Sequence, residues 1–209
     1  MSQSKVWRYT ESSWIYRFIG YDINLLNQPE NRRRWIIKVA LTILDILQPF
    51  ATIYEVEVGT LSEGEDAFVI SGSDENYQEK LVRYLKNVDD VTEINFLLTL
   101  HCYEVEKDQK PQEILFQPGG ALYLFIELDE TRRLKSSSDQ SVNDPLWLSL
   151  NLDTDIYAPL IEKTNRSKKT AQINSPILKG FLERLEKRLP LEKIHMSGPW
   201  YLKEYLEGL

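Results

Sequence analysis

The chain has 209 residues, 42% of them hydrophobic and 27% charged, with a formal net charge of −7. That length can bury a sizeable core without disulfides or metal, and the acidic balance argues against a dedicated nucleic-acid binder. A single cysteine excludes an internal disulfide and a cysteine-rich zinc site. With an N-terminus that shows no apolar leader, it points to a reducing, cytoplasmic setting.

The first 28 residues are rich in aromatics: Trp7, Tyr9, Trp14, Tyr16, Phe18 and Tyr21. Trp14, Tyr16 and Phe18 share a strand parity. They predict a short strand or extended arm that either closes one side of the core or anchors a partner. Residues 29–47 carry the strongest helical pattern. Asn27 and Glu30 have the spacing of a capping box, and Pro29 suits a first helical turn. Trp35, Ile36, Val39, Ala40, Ile43, Leu44 and Leu47 make a wide apolar stripe, leaving only Lys38, Thr42 and Asp45 for a polar one, so the helix should be largely buried. The same stretch is too short and too charged to span a bilayer. Arg32, Arg33 and Arg34 fall in the early turns, where positive charge opposes the helix dipole. They either pair with carboxylates of the chain or hold a phosphate or an acidic partner.

Residues 52–58 and 66–71 read as a hairpin around a turn at 59–64. A helix over 74–87 follows, capped by Ser73 or Asp74, with Tyr77, Leu81, Tyr84, Leu85 and Val88 at helical spacing. The connection from Ser71 to Glu75 lacks the glycine spacing and lysine of a phosphate loop. Between Val91 and Asp153 three segments alternate. Ile94, Phe96, Leu98, Leu100 and Cys102 share one parity in the first. Leu122, Leu124, Ile126 and Leu128 do so in the second, and Leu146, Leu148, Leu150 and Leu152 in the third. The pattern predicts three antiparallel strands with one leucine-rich core face. Cys102 falls on that face and should be a buried, inert thiol. Pro111 and residues 117–120 mark turns, with a short strand at 113–117 between them. Residues 135–144 and 163–175 read as polar loops, the second clustering Lys163, Arg166, Lys168 and Lys169. Ser175 and Pro176 then open a helix ending before Pro190, His195 falls in a turn-like stretch, and a short aromatic helix closes the chain.

The predicted fold class is α+β. A mostly antiparallel sheet of five to seven strands has helices 29–47 and 176–189 on its leucine-rich face, with helix 74–87 beside them. One globular domain spans 1–209, with the aromatic segment 1–28 and the helix 199–207 docked on it. If the three central strands pair in sequence order, the other face carries Thr99, His101, Tyr103, Tyr123, Phe125, Glu127, Trp147, Ser149, Asn151 and Asp153. Such a face is either a solvated or helix-covered sheet surface or a site, and a one-residue slip in register would exchange the two faces.

No nucleophile elbow, zinc-protease helix, phosphate loop or dinucleotide fingerprint is present. The best catalytic arrangement makes His101 a base oriented by Glu127 or Asp153, with Ser149 or a water as nucleophile, giving a small-molecule hydrolase. A mid-strand serine lacks the sharp turn and backbone donors of an oxyanion hole. Glu127 and Asp129 lie about 7 Å apart along a strand, too far to hold one ion unaided, so neither metal nor cofactor is expected. The leading expectation is a non-catalytic cytoplasmic binding or protein-interaction protein of regulatory, accessory or inhibitor type. Its binding candidates are Tyr103, Tyr123, Trp147 and Asn151 on the sheet, and Arg32, Arg33 and Arg34. A protein partner or self-association is expected, a small-molecule ligand is compatible, and nucleic acid and membrane are not expected.

Overall fold

The computed structural model describes residues 7–62, 68–105, 110–135, 144–159 and 164–207. In chain order they form β1 (Tyr9–Phe18), α1 (Ile23–Leu26), α2 (Pro29–Ile46), β2 (Ala51–Thr60), β3 (Phe68–Ser71), α3 (Tyr77–Asn87) and β4 (Val91–Glu104). Then follow β5 (Gln112–Ile126), β6 (Leu146–Thr154), α4 (Asn165–Arg188), β7 (Leu191–Ser197) and α5 (Trp200–Glu207). The strands make one antiparallel sheet in the order β3-β2-β4-β5-β6-β1-β7. The α+β class, the antiparallel pairing and the helices on the leucine face are as the sequence predicts. Among the described residues no helix is long and apolar enough to cross a membrane.

The three alternating segments pair in sequence order. Ile94 lies opposite Leu124, which lies opposite Leu148, and Phe96, Leu122 and Leu150 form the next row. All six are 0% exposed. Burying each such side chain contributes about 1.5–3 kcal/mol, so these rows dominate the core. Ile36, Val39, Ile43 and Leu44 of α2, Leu81 and Leu85 of α3, and Leu178, Phe181 and Leu185 of α4 pack into the same cluster. Phe50 stacks on Phe181 at 4.5 Å, and Tyr84 of α3 stacks on Phe68 of β3 at 3.8 Å, which sets α3 at the β3 end of the layer.

Several predicted boundaries move, each for a physical reason. The aromatic N-terminal segment is an inner strand between β6 and β7, with Trp14, Tyr16 and Phe18 in the core. Residues 117–120 form no turn. Leu98 pairs with Gly120 and Leu100 with Phe116, so β5 runs on through a bulge that absorbs Gln117, Pro118 and Gly119. His195 lies in β7, an edge strand that pairs on one side only and therefore carries little apolar signal. Asn27 does not cap α2: its side chain accepts from the Leu134 amide, and the N-cap residue Gln28 makes no side-chain cap bond.

The largest change concerns 163–175, where the described part is the first half of α4. Thr164 caps this helix by accepting from the Ser167 amide, and Pro176 lies inside it. Proline removes one helical bond, to the carbonyl of Gln172. Both residues are exposed, so the helix gives up that bond on its solvent side. Thr170 and Asn174 are buried where they bond the backbone at the end of β4, and Ser167 is buried where it closes the first turn of α4 on Thr164. Asn174 accepts from the Tyr103 amide at 2.8 Å and donates to the Tyr103 carbonyl at 2.7 Å. Arg166 adds bonds to the Val105 carbonyl and to Glu104. Most of the predicted 135–144 loop lies outside the described residues.

Candidate functional site

Helices cover one face of the sheet. On the opposite face the described residues place none, and the side chains stand in rows set by the register. One row runs Glu57, Asn95, Tyr123, Ser149, Ile15 and His195 across six strands. The next runs Glu93, Phe125, Trp147, Arg17 and Glu192. On the other side lie Glu55, Leu97, Ala121, Asn151, Ser13 and Ser197.

Three rings form a ladder in the middle. Phe125 and Trp147 are opposite one another and stack at 3.8 Å, and Tyr123, two residues along β5, stacks on Phe125 at 5.9 Å. All three are half-buried, so ring surface stays open to solvent. The Trp147 indole donates to Glu127 at 3.4 Å, and Glu127 also meets Lys135. Beside the ladder a concavity of about 550 Å³ is lined by Glu11, Ser13, Leu97, Gly120, Tyr123 and Asp153, among others. Its floor needs the small residue at Gly120, because a Cβ there would overlap the Asn151 carbonyl oxygen.

The electrostatics of this face are one-sided. Glu11, Glu55, Glu57, Glu93 and Asp153 make no ion pair among the described residues. Burial lifts the Asp153 carboxyl above the usual carboxylate range, and the charge of Glu11 adds to the shift. The Tyr123 phenol is raised by burial first, then by Asp153, Glu57 and Glu93, so three carboxylates act on that one ring. Arg17 stands opposite Trp147, and Glu192 (2.6 Å) and Asp144 (3.4 Å) hold it.

The residues of the hydrolase arrangement do not meet. The Nδ1 of His101 bonds Glu113 at 2.9 Å and its Nε2 bonds Thr52 at 3.2 Å. Ser149 belongs to the Asn95 row, about 20 Å from His101 along the strand direction, and its hydroxyl donates to Asn151 at 2.7 Å. Asp129 closes its own turn on Thr131 and Arg133, with its carboxyl held low by the Thr131 hydroxyl. Among the described residues no group of three or more His, Cys, Asp or Glu side chains is placed to hold a metal ion. Cys102 is fully buried against the Tyr157 hydroxyl, and burial pushes its thiol up to about 12.

No protein-family model matches this chain, and neither a curated protein nor a solved structure matches it.

Of the binding candidates, Tyr123, Trp147 and Asn151 come together, while Tyr103 stands at the far end of β4 beside α4. The arginine triplet splits. Arg32 is 1% exposed and donates to the carbonyls of Leu26 and Asp89, its guanidinium pKa lowered by burial against the pull of Asp89 and Asp90. Arg34 is exposed and meets Glu30 at 3.7 Å. Sequence reasoning missed Glu57, Glu93 and Glu11. The alternation of Glu55 and Glu57 with Val56 and Val58 marks a polar face of β2, but only the pairing of β2 with β4 brings that face to Tyr123.

Proposed function

We propose that this protein is a non-catalytic interaction module whose bare sheet face docks a partner protein through a segment carrying basic beside apolar side chains. One observation carries the reading: the Tyr123 end of the Tyr123–Phe125–Trp147 ladder faces Glu57, Glu93 and Asp153, which make no ion pair among the described residues. Large aromatic side chains are the usual anchors of protein interfaces. A lysine or arginine over such a ring gains about 0.5–2 kcal/mol, the larger value when the site is desolvated. Bringing a cation also relieves the repulsion among Glu57, Glu93, Glu11 and Asp153. An anionic occupant would meet that repulsion unscreened. The distance between His101 and Ser149 favours binding over hydrolysis. A reducing, cytoplasmic setting belongs to the same proposal and rests on the single cysteine.

The test is selection of random displayed peptides on the immobilised full chain, followed by affinity measurement of the enriched sequences. The expected pool is rich in Lys or Arg together with Trp, Leu or Phe, and loses at least tenfold in affinity to the Trp147→Ala chain, a cost of about 1.4 kcal/mol or more. A pool without cationic enrichment, or one that binds Trp147→Ala unchanged, refutes the reading.

A further inference from the structure

The helical layer carries the opposite charge pattern. On α2, Arg34, Lys38, Leu41 and Asp45 follow three- and four-residue spacing and so share one stripe, and on α3 Glu79, Val82, Arg83 and Lys86 do the same. The two stripes line a shallow, open groove made of adjoining concavities of about 560 Å³ and about 400 Å³ that share Leu41 and Lys86. Ile37, Leu41 and Val82 give it an apolar floor, with Leu41 38% exposed. The rim holds five cations, Arg34, Lys38, Arg83, Lys86 and Arg188, against the two carboxylates Asp45 and Glu79. Arg188 holds Asp45 at 2.8 Å. Lys38, Arg83 and Lys86 make no ion pair among the described residues. In a chain of net charge −7 this is a local inversion of sign.

We propose that this groove docks an acidic amphipathic helix of a partner protein, at a surface separate from the sheet face. The dimensions fit. From Arg34 to Asp45 the groove runs about 16 Å along α2, or roughly three helical turns. A helix laid between two others packs its side-chain ridge into their groove. Its apolar residues then cover Ile37, Leu41 and Val82, while its carboxylates reach Lys38, Arg83 and Lys86 on the two rims. A bilayer surface fits less well, because Leu41 is the one exposed apolar residue of the groove while Ile37 and Val82 are half-buried, which leaves little apolar area to insert. Nucleic acid fits less well too: none of the described residues lining the groove is aromatic, so none offers base stacking, and an apolar floor offers phosphate nothing.

The experiment uses the full-length Trp147→Ala chain as bait, so that peptides held by the sheet face are removed from the outcome. Displayed random peptides are selected on it, and the enriched sequences are measured by fluorescence anisotropy against that chain and against versions also carrying Lys38→Glu with Lys86→Glu, or Leu41→Asp. All three positions are on the outer face of their helices, and circular dichroism of each variant checks the fold. The expected pool is net negative, with apolar residues at helical spacing, and its affinity falls at least tenfold in both variants. A pool without acidic enrichment overturns the proposal, and so does acidic binding that Leu41→Asp leaves intact, since that marks charge attraction without a docked ridge. Retention on phosphatidylserine vesicles or DNA, abolished by Lys38→Glu with Lys86→Glu while no peptide is enriched, assigns the groove to another anion and overturns it as well.

Discussion

Asn174 fixes the first half of α4 to the end of β4 through both backbone groups of Tyr103, and removing it tests that contact directly. The residue is 0% exposed and makes three bonds: from the Tyr103 amide, to the Tyr103 carbonyl, and to the Thr170 carbonyl. In Asn174→Ala the Thr170 carbonyl keeps its position within the helix, but both backbone groups of Tyr103 lose their partner. An unpaired buried polar group costs about 1–3 kcal/mol. Tyr103 is half-buried, so water recovers part of this, and the expected loss is about 2–4 kcal/mol. That is a large fraction of the roughly 5–15 kcal/mol that stabilises a domain. With a urea dependence of about 2–3 kcal/mol per molar, the midpoint should fall by about 1 M. The assay is urea unfolding followed by tryptophan fluorescence, with Gln172→Ala on the exposed side of the same helix as control. Asn174→Asp should be no better at neutral pH, because it sets a carboxylate against the two carbonyl oxygens that now receive the amide hydrogens. An Asn174→Ala midpoint indistinguishable from the Gln172→Ala control would refute the claim that this polar contact holds α4 to β4.

Two further outcomes follow from the titrating groups. Burial and Glu11 raise the Asp153 carboxyl in the folded chain. The folded state therefore holds this proton to higher pH than the unfolded state, and the stability it contributes is present below the unfolded value of about 3.9 and lost as pH rises through the folded value. Asp153→Asn should then be at least as stable as the parent at pH 7, with the margin shrinking towards pH 4, while its affinity for cationic peptides falls; a variant that loses stability at pH 7 contradicts the assignment. For Cys102, full burial and a thiol pushed up to about 12 predict no alkylation by iodoacetamide in native buffer at pH 8 over hours and complete reaction in denaturant, read by mass spectrometry. Rapid native labelling would show that the region around Tyr157 opens.

What residue pattern alone determined is the core. Strand side chains alternate with period two, so the runs from Ile94 to Cys102, Leu122 to Ile126 and Leu146 to Leu152 specify their buried parity without any knowledge of neighbours, and the stripe on α2 specifies what covers them. Local pattern failed where a residue's role depends on a distant partner. Asn174 and Thr170 look like loop residues because their hydrogen-bonding groups are polar. They are buried in a helix because the edge of β4, some seventy positions away in sequence, presents the amide and carbonyl that pair with Asn174. Pro176 looks like a helix start, yet it lies mid-helix, where it and Gln172 are both exposed. The candidate site divides the same way. Tyr123, Trp147 and Asn151 are visible as one strand parity, but Glu57, Glu93 and Glu11 join them only through the registers of β2 with β4, of β4 with β5 and of β1 with β6. The groove on the other side needs α2, α3 and the end of α4 in contact. Charge on a strand or a helix is a sequence property; whether like charges gather on one surface is decided by pairing and packing, and here that decision made one face acidic and the other basic.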